Sequence, residues 1–279
     1  MTQLSVKARL ILLAALLAIS FFSCSRQTGD RPLLCFVGGT MRPAMEELVR
    51  IYQQTHQFKV DIDYAESGEL YVRIDQTHKG DLFVCHDPFG GAAKKKGLVT
   101  MSLPVATLDP VIVVAKGNPK SIRGFKDMAN PGVRVIFTHE MYNEMNLVPR
   151  MAERAGIRKQ LDSNCASFSW GGGESANELS LGTADASIVW NAVAALRTDI
   201  VDVVPIERRL HLQSNTDAIT CATYGTVDLS TIKVTVNVLR WSKSAKAATA
   251  FAEFCASDEA QAVWTKYGFS PRRELYLDQ

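Results

Sequence analysis

Gly38-Gly39-Thr40 ends a short apolar run, Leu33 to Val37, and stands directly before an amphipathic helical pattern that continues to Tyr52. Amides in the first turn of a helix have no internal partners and lie at the positive end of the helix dipole, so such a turn can hold an anion. The turn is neither a GxGxxG dinucleotide loop nor a GxxxxGK[ST] phosphate loop. It offers one hydroxyl and no lysine, and Thr40 is equally a candidate helix N-cap. Three further turns share this design: Ala65-Glu66-Ser67-Gly68, Thr138 to Glu144, and Trp170-Gly171-Gly172-Gly173. Each puts small or hydroxyl residues, or bare backbone, near a helix start. Converging, they would bind an anion through neutral hydrogen bonds, without lysine or arginine.

The elements that must position these turns alternate between strand and helix. Val60–Tyr64 alternates with period two, and Asp81–Cys85, Val111–Ala115, Val133–Phe137, Ile188–Trp190 and Val201–Val204 are short apolar runs. Helical patterns cover Leu70–Thr77, Met145–Ala155, Glu174–Leu181, Ser244–Ser257 and Asp258–Lys266. Pro149 should kink or start the second of these. Lys94-Lys95-Lys96-Gly97 reads as a helix end with dipole-complementing lysines and a C-cap glycine. This alternation predicts an α/β fold with parallel sheets, whose ligands sit at the carboxyl ends of strands. No repeat, low-complexity segment or Pro/Ser-rich linker divides the chain, so strands themselves are expected to cross between any two lobes.

The first 23 residues have the form of a signal peptide. Lys7 and Arg9 precede the uncharged run Leu10–Ile19, which is short for a membrane span. Ser23-Cys24 then resembles a lipoprotein cleavage site, although Phe21-Phe22 fits that pattern loosely. Cys24 is the expected lipidation site, followed by a polar tether from Ser25 to Arg31. About 256 residues would remain, enough for one or two domains with real cores. The formal charge of +2 falls to about zero once the two basic leader residues are removed, which gives no electrostatic case for nucleic acid or an anionic membrane surface. Of six cysteines, Cys35, Cys85, Cys165, Cys221 and Cys255 would stay unlipidated, with no CxxC among them; Cys165 with Cys221 is the one pair to consider for a disulfide. Cys35 and Cys85 read as small buried hydrophobes.

Catalytic motifs are missing. His56, His78, His86, His139 and His211 form no HExxH, and no GxSxG occurs. Cys85 and His86 are adjacent on a strand and point to opposite faces, which counts against a Cys–His couple. The expectation is a protein that is not an enzyme and has no cofactor.

Residues 33–272 resemble the periplasmic molybdate/tungstate-binding proteins of ABC importers. The resemblance is carried by FVGGTMRPAMEEL at 36–48, YAESGEL at 64–70, GDLFVCHDP at 80–88, NELSLGTADASIVW at 177–190 and FAEFCASDEAQAVWTKYGF at 251–269. It implies a two-lobe periplasmic-binding-protein fold with hinge strands crossing between the lobes: 33–108 plus 212–279 as lobe I and 109–211 as lobe II. It implies a monomer in the periplasm or at the cell surface, held to a membrane only by its lipid anchor. It also implies capture of a small tetrahedral oxyanion, molybdate or tungstate, for delivery to an ABC permease. By the same resemblance Thr40 and Ser67, with the adjoining Gly39 and Gly68, fall on hydroxyl and amide donors. Gly172 falls on a backbone donor, and Trp190 stands where these proteins often have tyrosine, so its indole N–H would donate instead.

The third loop departs from the family. THEMYNEMN at 138–146 puts Glu144 at the approximate place of an amide donor, and a carboxylate beside a dianion is repulsive. The archaeal tungstate-binding branch ligates its metal with two carboxylates, so Glu140 and Glu144 are possible metal-centre ligands; both are also ordinary helix-start acids. Glu66, Glu69, His86, Asp87, His139, Glu140, Glu144 and Glu174 all stand near expected loop mouths. They keep open a binding protein for a transition-metal cation or metal chelate. A ligand-sensing envelope lipoprotein is an alternative of another class, and a hydrolase a distant third.

Overall fold

The computed structural model describes residues 31–56, 58–212, 217–221 and 225–272. The signal-peptide and Cys24 expectations lie outside the described residues. Strands in chain order are β1 Leu33–Gly38, β2 Val60–Ala65, β3 Leu82–His86, β4 Val99–Leu108, β5 Pro110–Ala115, β6 Val135–Thr138, β7 Cys165–Ser169, β8 Ala186–Trp190, β9 Val201–Val204, β10 Ala218–Cys221, β11 Gly225–Asp228, β12 Ile232–Leu239 and β13 Ser270–Pro271. Helices are α1 Arg42–Thr55, α2 Ser67–Thr77, α3 Phe89–Lys95, α4 Leu147–Ala155, α5 Arg158–Ser163, α6 Gly172–Ser180, α7 Asn191–Ala195, α8 Ala245–Cys255 and α9 Asp258–Lys266.

Two main sheets result, besides the antiparallel pair β10-β11, and together with the flanking helices they make a bilobed α/β periplasmic-binding-protein fold. The first has strand order β13-β4-β12-β3-β1-β2 and the second β7-β6-β8-β5-β9. Parallel pairing holds only in part. β1 pairs parallel with β2 and β3, but β12 runs antiparallel to both β3 and β4. In the second sheet β6 is parallel to β7 and β8, while β5 is antiparallel to β8 and β9. The expected parallel pairing thus holds within the β-α-β units, while β12, from far along the chain, and β5, directly after the crossing, run antiparallel to their neighbours.

β4 ends at Leu108 in the first sheet and β5 begins at Pro110 in the second, so Asp109 is one crossing point; the chain returns between β9 and β12. It is tied on several sides. Its N–H donates to Asn191 Oδ1 at 3.0 Å, its carbonyl accepts the Asn191 N–H at 2.8 Å, and its carboxylate accepts the Ser270 hydroxyl. Asn191 also donates to Ser270 Oγ at 3.1 Å.

One hydrophobic cluster reaches into both sheets, including Leu33, Val84 and Val234 from the first and Ile112, Val135 and Ile188 from the second. α1 shows how the sequence pattern serves it. Ala44, Met45, Leu48, Val49 and Tyr52 recur on one face and are all buried. α4 begins at Leu147, after Asn146 in a left-handed conformation, so Pro149 lies in the first turn and breaks no helical bond. Cys35, Cys85 and Cys255 are buried thiols, and Cys165 is a free thiol rather than half of a disulfide.

Candidate functional site

In each sheet the parallel strands deliver a loop at their carboxyl ends, and these loops line two adjoining cavities of about 340 and 850 Å³. The smaller is walled by Gly39, Thr40, Gly172 and Trp190, the larger by Ser67, Gly68 and Glu144. Glu66, Glu140 and Trp170 border both. Gly39, Thr40, Ser67, Gly68, Glu140, Glu144, Gly172 and Trp190 therefore come together around one cleft. Asp87 and Glu174 line neither cavity: the Asp87 carboxylate accepts the Lys233 N–H at 3.1 Å and its own N–H donates to the Lys233 carbonyl, which ties β3 to β12, and Glu174 accepts the Trp170 N–H at 2.8 Å.

The first turn is a short 3-10 segment, Gly39–Met41, and no side chain caps either it or α1. Thr40 is therefore not the N-cap that its position suggests. Its hydroxyl has no partner among the described residues. Ser67 opens α2, is 3% exposed, and its hydroxyl likewise has no such partner. Gly38 is glycine for a local reason: a Cβ there would stand 2.2 Å from Ser67 Oγ and 2.6 Å from Met41 Cε. Gly172 starts α6 with its Cα against Val189 and Val193, where a Cβ would approach both to 3.1 Å. The first residues of α2 (Ser67, Gly68) and of α6 (Gly172, Gly173) thus line the cleft from opposite sheets, at positions whose amides lack intrahelical partners.

The third loop behaves differently. After Thr138, whose hydroxyl accepts the Met141 N–H at 3.3 Å, residues Glu140–Glu144 form a π-turn. It brings Glu140 into the cleft centre. There Oε2 accepts the Trp190 indole N–H at 3.3 Å, and Oε1 lies 3.2 Å from His86 Nε2. The Trp190 donor expected to face a ligand is thus engaged by a carboxylate. Trp190 itself is 3% exposed, so it also packs as a strand-end core aromatic.

Acids dominate the larger cavity, where Glu66, Glu69, Glu140 and Glu144 meet His86, His139 and Arg73. Burial pushes the Glu66 carboxyl above its usual range, and repulsion from Glu140 and Glu144 adds to it. Glu144 is raised by burial and then by Glu140. The smaller cavity carries Arg42 and Arg197, which sequence reasoning did not select. Arg42 bonds Glu46 at 2.9 Å and lies over the Tyr64 ring; Arg197 bonds Asn177. Trp170, also unselected as a site residue, is 73% exposed and packs on His139 at 4.4 Å between ring centroids. Its Gly-rich surroundings were the available signal. Among the described residues, no group of three or more His, Cys, Asp or Glu side chains is arranged to hold a metal ion.

A family described as bacterial extracellular solute-binding proteins matches residues 33–270. The chain belongs to this family. It is homologous to the molybdate-binding protein ModA of Mycobacterium bovis, with 27% identity over 165 residues, 58% of this chain and 62% of the relative. The matched region thus spans less than two thirds of that relative's length. Among solved structures it is similar in fold to the periplasmic molybdate-binding protein of Azotobacter vinelandii, at 14% identity and a TM-score of 0.62, covering 85% of this chain and 98% of that one. It is also similar to the sulfate-binding protein SubI of Mycobacterium tuberculosis, at 21% identity and a TM-score of 0.66, covering 88% and 89%.

Proposed function

We propose that this protein is the extracytoplasmic solute-binding component of an ABC importer and that it captures a small tetrahedral oxyanion, molybdate or tungstate, between its lobes. The observation that carries this is the pair of unpartnered hydroxyls, Thr40 and Ser67, set beside the first-turn amides of α2 and α6 at the carboxyl ends of strands. Homology to molybdate-binding proteins supports the same ligand class. Lobe I is 33–108 plus 212–279 and lobe II 109–211; the membership of the two sheets and the crossing at Asp109 support that division. Ligand binding closes the lobes about this crossing, and the closed form presents the cargo to the permease. Cys24 carries the lipid anchor that keeps the protein at a membrane surface.

A transition-metal cation or chelate is the second reading, and the acids of the larger cavity favour it. Arg42 and Arg197 on the smaller cavity favour the anion. Calorimetric titration of Ser67→Ala with sodium molybdate separates the two. Loss of a buried, paired hydroxyl is expected to weaken molybdate binding by roughly 1–3 kcal/mol. Unchanged molybdate affinity, or a heat of binding seen only with divalent metals, would count against the oxyanion.

A further inference from the structure

His86 closes β3 in the first sheet and Glu140 follows β6 in the second, yet their side chains meet in the cleft, with Nε2 and Oε1 3.2 Å apart. The other imidazole nitrogen, Nδ1, lies 2.8 Å from the Asp87 carbonyl oxygen. A carbonyl oxygen only accepts, so Nδ1 carries a hydrogen. His86 is 4% exposed, and its contact with Glu140 joins the two sheets across the cleft.

Glu140 spans both walls of the cleft. Oε2 takes the Trp190 indole N–H, while Oε1 touches His86 off the direction of a hydrogen bond and is otherwise buried without a partner. Such an oxygen carries a standing desolvation cost. The residue also begins the π-turn Glu140–Glu144, a backbone feature that recurs at functional sites.

We propose that Glu140 is a stand-in anion: the incoming oxyanion displaces its carboxylate and takes over the hydrogen bond of Trp190 Nε1. This rests on the oxyanion reading above. It makes Glu140 a determinant of specificity, because a ligand must outcompete a carboxylate for that donor. A doubly charged acceptor does so and a singly charged one of the same shape does not.

The test is calorimetric titration of the purified protein with sodium molybdate. Wild type is compared with Glu140→Gln and Glu140→Ala, and melting curves show that each is folded. Both Glu140 variants are expected to bind roughly tenfold or more tightly. Glu140 variants that bind equally or less well, while wild type binds, would overturn this proposal alone; that is the outcome expected if this carboxylate ligated a metal centre or a cation. If wild type and every variant ignore all oxyanions, the proposed function falls and this proposal with it.

Discussion

Gly38 and Ser67 show how one missing Cβ shapes the cleft. The Ser67 hydroxyl occupies the space that a side chain at residue 38 would take. Gly38→Ala should therefore push that hydroxyl off its position and weaken molybdate binding about as much as Ser67→Ala does, by roughly 1–3 kcal/mol. Calorimetry on the double variant should show little further loss, because both changes act on one donor. Fully additive losses would mean that the glycine matters for another reason. Glu66 gives a prediction in pH. Its pKa in the folded protein lies above the usual carboxylate value, first through burial and then through Glu140. The cost of its charged form is therefore present above the folded pKa and disappears as pH falls through it. Glu66→Gln is expected to raise the melting temperature at neutral pH, with the gain shrinking as pH falls toward the ordinary carboxylate range. A gain that grew on acidification would contradict the sign.

At the level of elements, the crossing between sheets depends on a small polar knot, Asp109 with Asn191 and Ser270. Asn191→Ala removes an acceptor from the Asp109 N–H and a donor to Ser270. Denaturant titration should show a loss of about 1–3 kcal/mol, with oxyanion affinity changed less than stability. How legible the elements were depended on where their information lies. β1, β2, β3, β5, β8 and β9 were readable because each is a local apolar or alternating run. β4 was missed: Thr100 to Pro104 is partly exposed and ends on a proline. β7 was missed because CASFS is polar and largely exposed. β12 alternates well, yet nothing local says that it pairs antiparallel between β3 and β4. The cleft turns were visible as glycine and hydroxyl residues before helices. The His86–Glu140 contact was not, because the two residues lie in separate sheets and only the tertiary fold brings them together.

For the whole molecule, capture of a ligand between two sheets joined at Asp109 implies a closing motion. Small-angle scattering with and without sodium molybdate should show a decrease in radius of gyration, and an unchanged radius would argue against closure. The central claim, an oxyanion held between the lobes, is tested most directly by a thermal-shift panel of molybdate, tungstate, sulfate, phosphate and divalent metal ions. A ligand that binds only the folded state raises the melting temperature by mass action, by about 2.7 kcal/mol of stability at a hundredfold excess over its Kd. A rise with molybdate or tungstate, and none with divalent cations, is the predicted result; a rise with divalent cations alone would contradict it.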